Sequence, residues 1–165
     1  MKTLISTLVL AAKWMAGALF MAVFGLNVIQ VALRYMVGTT WLWVPDLLRL
    51  MFVWMVFLGA TVLYAWGGHL TVDFLVQRLA PKWRLAAAAA VECAAIAFFV
   101  VLFVKGIEIT EKRMRVPFDT WDIPTGYAYM AIAVAAVLMT LIAAHRLAGH
   151  VRALLKGETG NVQGD

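Results

Sequence analysis

Residues 14–33 of the chain read WMAGALFMAVFGLNVIQVAL, twenty residues without a charged side chain between Lys13 and Arg34. A helix rises about 1.5 Å per residue, so a run of this length spans about 30 Å, the thickness of the hydrocarbon core of a bilayer. Backbone amides in lipid must be satisfied within their own segment, so the run predicts a membrane-spanning helix. Three runs of similar length follow it, at 50–68, 85–104 and 123–144.

The four runs predict an all-α integral membrane protein with four transmembrane helices and short amphipathic interfacial helices. The second helix is expected to start at Pro45, because proline suits the first turn of a helix. We expect a polar, disordered tail at 157–165, GETGNVQGD. The rest, 1–156, is expected to form one four-helix domain with spans at about 14–33, 45–68, 85–104 and 123–144.

The composition excludes an ordinary soluble domain. Of the 165 residues, 64% are hydrophobic and 14% are charged, and the mean hydropathy is +0.88. Soluble domains carry about 25% charged residues. The net charge of +5 does not indicate nucleic-acid binding, because the 14 Lys and Arg are scattered between apolar runs. A single cysteine excludes a disulfide within the chain.

Two segments outside the spans have the pattern of interfacial helices. Residues 3–13 precede span one, and we expect them to form an interfacial helix rather than a cleaved signal peptide, the alternative. In the segment 71–79, Thr71 can cap a helix and Asp73 lies in its first turn. Val72 and two leucines share one face of that helix, which predicts that it lies on the membrane surface.

The orientation is predicted from the Lys and Arg on each side of the membrane. Eight of them lie on the side that carries both termini, and six lie on the opposite side. Cytoplasmic segments are enriched in these residues, so both termini are expected in the cytoplasm.

Span one carries a polar stripe formed by Asn27, Gln30 and Arg34. Steps of three and four residues place these side chains on one face of the helix. Polar groups at membrane depth need hydrogen-bond partners and usually face protein rather than acyl chains. The polar stripe therefore predicts contact with another helix, which belongs either to a partner subunit or to this chain.

Span two begins with Asp46 and Arg49, one helical turn apart. Two interpretations are open: a local ion pair at the membrane interface, or a pair that locks this chain to a partner. Trp54 and Gly59 follow in the same span. A glycine at this position would let another backbone approach closely.

Two other places carry groups that can bind a cation. Glu92 is the only acidic residue deep in a span, and such a carboxylate can serve as a proton or cation site. Because the run before it is mostly alanine, we instead expect Glu92 to lie near the interface and reach water or Arg84. His69 and Asp73 supply only two possible ligands, so we expect no metal.

The segment 105–122, KGIEITEKRMRVPFDTWD, joins spans three and four. Glu108 and Lys112, and Glu111 and Arg115, are spaced four apart in the order that favours a helix. Span three is therefore expected to continue as a helix up to the first proline of this segment. Exposed charges tune association rates, so the loop is either a docking site for a soluble partner or a solvated connector. The docking candidates are basic: Lys112, Arg113 and Arg115.

The sequence shows no Ser/His/Asp arrangement, glycine-rich phosphate loop or metal-ligand cluster, so we expect neither an enzyme nor a cofactor. Two other classes of function stay open. One is an autonomous four-helix transporter or channel that uses Glu92. The other is a haem-binding membrane anchor of a redox enzyme, which would need histidines in facing spans, whereas His145 and His150 follow span four.

The block from Asn27 to Leu75 resembles the small membrane subunit, of DctQ type, of the tripartite ATP-independent periplasmic (TRAP) transporters. The resemblance extends from Trp14 to about Arg152. One departure is Pro45-Asp46, where the family usually has a pair of acidic or small residues ending in Glu. The matching residues are Asn27, Arg34-Tyr35, Trp43, Asp46, Arg49, Trp54, Phe57-Leu58-Gly59-Ala60, Gly68-His69, Val72-Asp73, Ile123-Pro124 and Gly126.

The resemblance implies a small permease subunit in the bacterial inner membrane, within a secondary transporter that takes up organic acids with an ion gradient. Its implied partners are a large TRAP membrane subunit, which it scaffolds, a periplasmic substrate-binding protein, which it helps to dock, and membrane lipid. The candidate residues for the partner interface are Asn27, Gln30, Arg34, Tyr35, Asp46, Arg49, Trp54, Gly59, His69 and Asp73.

Overall fold

The computed structural model describes the backbone of residues 2–67 and 81–156, and the side chains of 3–67 and 87–152. Within these residues the chain forms four helices, each with a segment long and apolar enough to cross a membrane. This confirms the predicted all-α membrane fold. The proposed surface helix at 71–79 and the tail at 157–165 lie outside the described residues. The helices are α1 (Lys2–Met36), α2 (Val44–Ala65), α3 (Pro81–Arg113) and α4 (Gly126–Lys156).

The helices pack in the spatial order α1, α2, α4, α3, with only a light contact between α1 and α4. Two apolar clusters hold this array together. One joins α1 to α2 through Ala12, Leu58 and Val62. The other joins α3 to α4 and is built on Phe99, Met139 and Ala143.

The interface of α3 and α4 is narrow because small residues line it. Gly106 of α3 faces α4, where an added Cβ would lie 3.1 Å from Ile132 Cγ2 and 3.2 Å from the Ala133 amide nitrogen. Buried alanines on α4, including Ala135 and Ala136, allow the same close approach. Small residues at helix contacts are what dispersion-driven packing in lipid favours, because they let the backbones come together.

The expected interfacial helix at 3–13 is not a separate element, because α1 runs without a break from Lys2 to Met36. The segment contains neither glycine nor proline and is rich in leucine and alanine, which favour helix continuation. Lys13, which suggested a boundary, lies over the ring of Trp66 with its ammonium 5.1 Å from the ring centroid. A long basic side chain can reach outward in this way without ending a helix.

The ends of α2 follow the sequence signals. Pro45 occupies the first turn of α2, as predicted. Gly67 follows the helix with φ of 85°, a left-handed conformation that glycine adopts without steric cost. Gly38, with φ of 74°, serves the same purpose in the turn between α1 and α2.

The connection between α3 and α4 folds back on itself. Phe118 donates its amide hydrogen to Ile123 O at 3.0 Å, and Thr125 donates to Val116 O at 2.8 Å. Phe118 is buried inside this loop. Gly126 starts α4 where an added Cβ would lie 2.9 Å from the backbone nitrogen of Met114, so the return of the chain requires glycine.

The helical extension of α3 is shorter than expected. The helix ends at Arg113, before the proline at 117. Lys112 donates to Glu108 at 2.7 Å, which confirms the first predicted pair. The second prediction is wrong, since Arg115 lies beyond the helix end and forms no ion pair with Glu111 within the described side chains. The backbone bonds that close the loop remove the helical geometry on which that spacing depends.

Candidate partner interface

The face that α1 turns toward α2 repeats with alternating steps of four and three residues. This is the spacing of two helices that pack side by side as in a coiled coil. The outer side of α1 is exposed, and Tyr35 near its end is 82% exposed. The inner positions are Ile5, Val9, Ala12, Ala16, Leu19, Val23, Leu26, Gln30 and Leu33.

The polar stripe is divided by this repeat. Gln30 falls on an inner position and is half-buried, whereas Asn27 and Arg34 lie beside the contact and are exposed. Asn27 Nδ2 donates to the backbone oxygen of Val23 at 2.8 Å. Neither Gln30 nor Arg34 forms a side-chain hydrogen bond to any residue whose side chain is described. The stripe therefore lies partly within and partly beside the α1–α2 contact, and its side chains form no hydrogen bond to α2.

Asp46 and Arg49 do not pair with each other, so the interpretation of a local ion pair is wrong. Asp46 Oδ2 accepts the backbone N–H of Thr120 at 3.0 Å and the Thr120 hydroxyl at 2.5 Å. Arg49 donates to Tyr129 Oη at 3.3 Å. Both residues lie in the first turns of α2, but their side chains reach different elements. Asp46 thus fastens the start of α2 to the loop between α3 and α4.

Tryptophans strengthen the same end of the molecule. Trp43 stacks between Trp41 and Trp121, with ring centroids 5.8 Å apart on each side. Trp54 Nε1 donates to the backbone oxygen of Tyr127 at 3.0 Å. Trp54 therefore contributes to the contact between α2 and α4, and its indole N–H is satisfied within this chain.

Gly59 lies on an exposed face of α2. Other residues on that face recur at helical spacing and have exposed side chains, among them Arg49, Phe52, Val56 and Leu63. A Cβ added at Gly59 would meet nothing within 4 Å. No helix of the described part of the chain covers this glycine, in contrast to the covered glycine at 106.

The basic docking candidates differ in their surroundings. Lys112 and Lys105 both hold Glu108, at 2.7 and 2.8 Å. Arg113 lies over the ring of Tyr129, with Cζ 5.7 Å from the centroid. Arg115 is exposed and has no ion pair or hydrogen bond to a described side chain. Of the three, Arg115 has the charge that is most available to a partner.

Glu92 corrects a prediction. It was expected to reach water or Arg84 near the interface, but it is 2% exposed and lies among α2, α3 and α4. Tyr64 donates its hydroxyl to Glu92 Oε2 at 2.6 Å, and Arg146 NH1 lies 3.8 Å from Glu92 Oε1. The side chain of Arg84 lies outside the described residues. A buried carboxylate needs such partners, because an isolated charge in a low-dielectric interior is costly.

Arg146 connects this carboxylate to the end of α2. Its NH2 donates to the backbone oxygen of Ala65 at 2.7 Å, and its Cζ lies 5.2 Å from the centroid of the Tyr64 ring. Phe99 packs edge-on against Tyr64 at 5.0 Å. Glu92, Tyr64 and Arg146 form what we name the buried polar cluster. Tyr64 and Arg146 were not among the residues predicted from the sequence, although each lies near the end of its apolar run.

Other candidates fall outside the described residues or are not gathered into a site. His69 and Asp73 lie outside them. His145 and His150 both lie within α4, which continues past the predicted end of span four. No group of three or more His, Cys, Asp or Glu that could hold a metal ion occurs in the described part of the chain.

Comparison with known proteins identifies the family. Residues 23–153 match the family described as tripartite ATP-independent periplasmic transporters, DctQ component. The chain is also similar to the sialic acid TRAP transporter permease protein SiaT of Haemophilus influenzae (strain 86-028NP), with 32% identity over 72 residues. That match covers 44% of this chain and 12% of the length of the relative. The chain belongs to the DctQ family, the small membrane subunits of TRAP transporters.

Proposed function

We propose that this chain scaffolds a large TRAP membrane subunit in the bacterial inner membrane. In the same proposal it helps to dock a periplasmic substrate-binding protein for uptake of an organic acid with an ion gradient. Both termini face the cytoplasm. The observation that carries the scaffold role is the polar stripe: Gln30 and Arg34 form no side-chain hydrogen bond to a described residue, and the Asn27 side chain bonds only to the backbone of its own helix.

The lipid around the helices limits the partners available to polar side chains. Acyl chains offer no hydrogen bonds, so a polar side chain at membrane depth is stabilised when it faces another protein. Arg34, at the end of α1, can extend its side chain to the interface. Asn27 and Gln30 are too short to do so from one to two turns deeper. The amides of these two residues are therefore the groups that need hydrogen-bond partners on an external helix.

The exposed face of α2 supports the same proposal. Gly59 leaves a gap in that face into which a neighbouring backbone can pack, and Phe52 and Val56 supply apolar surface beside it. Close approach at glycine is a common way for membrane helices to associate. The two faces together offer a large membrane partner one polar and one apolar contact.

The buried polar cluster argues against transport by this chain alone. An autonomous pathway through Glu92 would need the carboxylate to meet water or a permeating ion. Instead it accepts a hydrogen bond from Tyr64 and faces Arg146, which neutralises it. An arrangement of this kind favours a structural role for the carboxylate.

The experiment is co-purification of the chain with its large membrane subunit in mild detergent, with the parent and Asn27→Leu/Gln30→Leu. Interhelical hydrogen bonds are worth about 0.6–2 kcal/mol each, so the double variant should bind the partner roughly tenfold more weakly. Thr7→Val is the matched control, because Thr7 is an exposed polar residue of α1 whose hydroxyl bonds to its own backbone. Equal recovery of partner by all three proteins would contradict the proposal.

A further inference from the structure

A cavity of about 440 Å³ opens where the first third of α1 meets the end of α2 and the middle of α4. This volume lies within the range of about 300–1,000 Å³ typical of small-molecule sites. The polar stripe and the exposed face of α2 do not contribute to it. The lining combines apolar and basic side chains: Ile5, Val9, Lys13, Trp66, His145 and Arg146 are among its residues.

The lining contains two basic side chains and one imidazole side chain. Lys13 is exposed, and Arg146, 24% exposed, is held in place by its bond to Ala65 O. His145 lies beside Arg146 in the lining, and none of the described residues that line the cavity is acidic. Glu92 is not part of the lining, but it faces Arg146 and offsets part of the charge of the guanidinium. Lys13 therefore provides the strongest uncompensated charge, and the cavity favours an anion.

An apolar surface with a shallow cleft of only about 10 Å³ borders the cavity between α1 and α4. It shares Ile5, Val9 and Ile142 with the cavity and adds Leu138 and Leu141. The described side chains that line it carry no charge. A basic cavity bordered by an apolar surface fits a molecule with an anionic head and a hydrocarbon chain that lies along that surface.

The position of the cavity agrees with such a ligand. Trp66 directly follows α2, and tryptophan is enriched at the level of lipid headgroups. Basic pockets between membrane helices are suited to phosphate-bearing headgroups. We propose that this cavity binds one anionic phospholipid, with its phosphate between Lys13 and Arg146 and one acyl chain lying along the apolar surface beside the cavity. The site belongs to this chain alone and does not depend on the proposed scaffold role.

The test is native mass spectrometry of the full chain in detergent, titrated with dioleoylphosphatidylglycerol or with dioleoylphosphatidylcholine. The parent should retain the anionic lipid in preference to the zwitterionic one. Lys13→Gln should weaken retention of phosphatidylglycerol about fivefold, the effect expected for one basic residue near an anionic lipid. Val9→Trp should also weaken it, because the larger side chain fills the cavity without changing its charge.

Arg152→Gln is the matched control, because Arg152 is an exposed basic residue of α4 outside the cavity. It should retain phosphatidylglycerol like the parent. Equal retention by Lys13→Gln and Arg152→Gln, or equal retention of the two lipids by the parent, would overturn the proposal. Displacement of the lipid by millimolar inorganic phosphate would also overturn it, since the site would then bind a small anion rather than a phospholipid.

Discussion

Two polar regions of this bundle differ in how their hydrogen-bonding groups are satisfied. The buried polar cluster brings Glu92, Tyr64 and Arg146 together from three helices, and each contributes to bonds within the chain. In the polar stripe on α1, Gln30 and Arg34 form no side-chain hydrogen bond to a described residue, and the Asn27 side chain bonds only within its own helix. The two regions look the same in the sequence, because each consists of polar residues within or next to apolar runs. The first stabilises this chain, and the second is suited to a partner.

The largest effect should come from Arg146→Met. This change leaves the Glu92 carboxylate buried without its cation, and breaking a buried pair costs about 3–5 kcal/mol. Because the guanidinium is partly exposed, we expect a loss near the lower end, about 3 kcal/mol, in the free energy of unfolding of the chain alone. Thermal unfolding in detergent would measure it, with Arg152→Met as the control. Identical unfolding of the two variants would show that the cluster does not stabilise the fold.

A second comparison uses two glycines, Gly106 in the packed α3–α4 contact and Gly59 on the exposed face of α2. Gly106→Leu should destabilise the chain by about 1–3 kcal/mol, because the added side chain meets Ile132 and Ala133 and overpacks the α3–α4 contact. Gly59→Leu should leave the unfolding of the chain unchanged and weaken binding of the large subunit. Thermal unfolding and co-purification of both variants separate the two effects. Loss of chain stability in Gly59→Leu without loss of partner would mean that the α2 face is not a partner contact.

The smallest effect concerns the loop between α3 and α4. Arg115→Glu should slow uptake about two- to threefold when the binding protein is scarce and leave uptake unchanged when it saturates, because exposed charges act mainly on association rates. The difference should shrink as salt is raised. Uptake into vesicles with added binding protein measures this, and Arg152→Glu is the control at the opposite end of the molecule. An Arg115 variant that matches the parent at every concentration would make the loop a connector.

The fold could be predicted from the sequence because a bilayer imposes simple requirements. Uncharged runs of about twenty residues specify helices, and Pro45 marked the start of α2 correctly. Choosing partners for the polar residues was less successful. Spacing along one helix suggested that Asp46 pairs with Arg49, whereas Asp46 bonds to Thr120, which is distant in sequence. Periodicity reports which residues share a face, but not which helix packs against that face.

Glu92 is a second residue whose partners could not be predicted from spacing along one helix. Its depth in span three was evident, but its environment depended on α4 lying next to α3 and on the Tyr64 side chain reaching Glu92 from α2. Tyr64 and Arg146 come from ends of different apolar runs, and no local pattern connects them. The order α1, α2, α4, α3 brings them together. Only the packing of the helices could distinguish a satisfied carboxylate from one that reaches water.

The central claim is that the polar stripe contacts the large membrane subunit. A photoreactive amino acid placed at Asn27 in intact membranes tests it directly, with the same group at Leu141, an exposed position of α4, as the comparison. The account predicts a covalent adduct with the large subunit from position 27 and much less from position 141. Adducts from position 141 but none from position 27 would contradict it, because α1 would then face lipid and the partner would lie on the other side of the bundle.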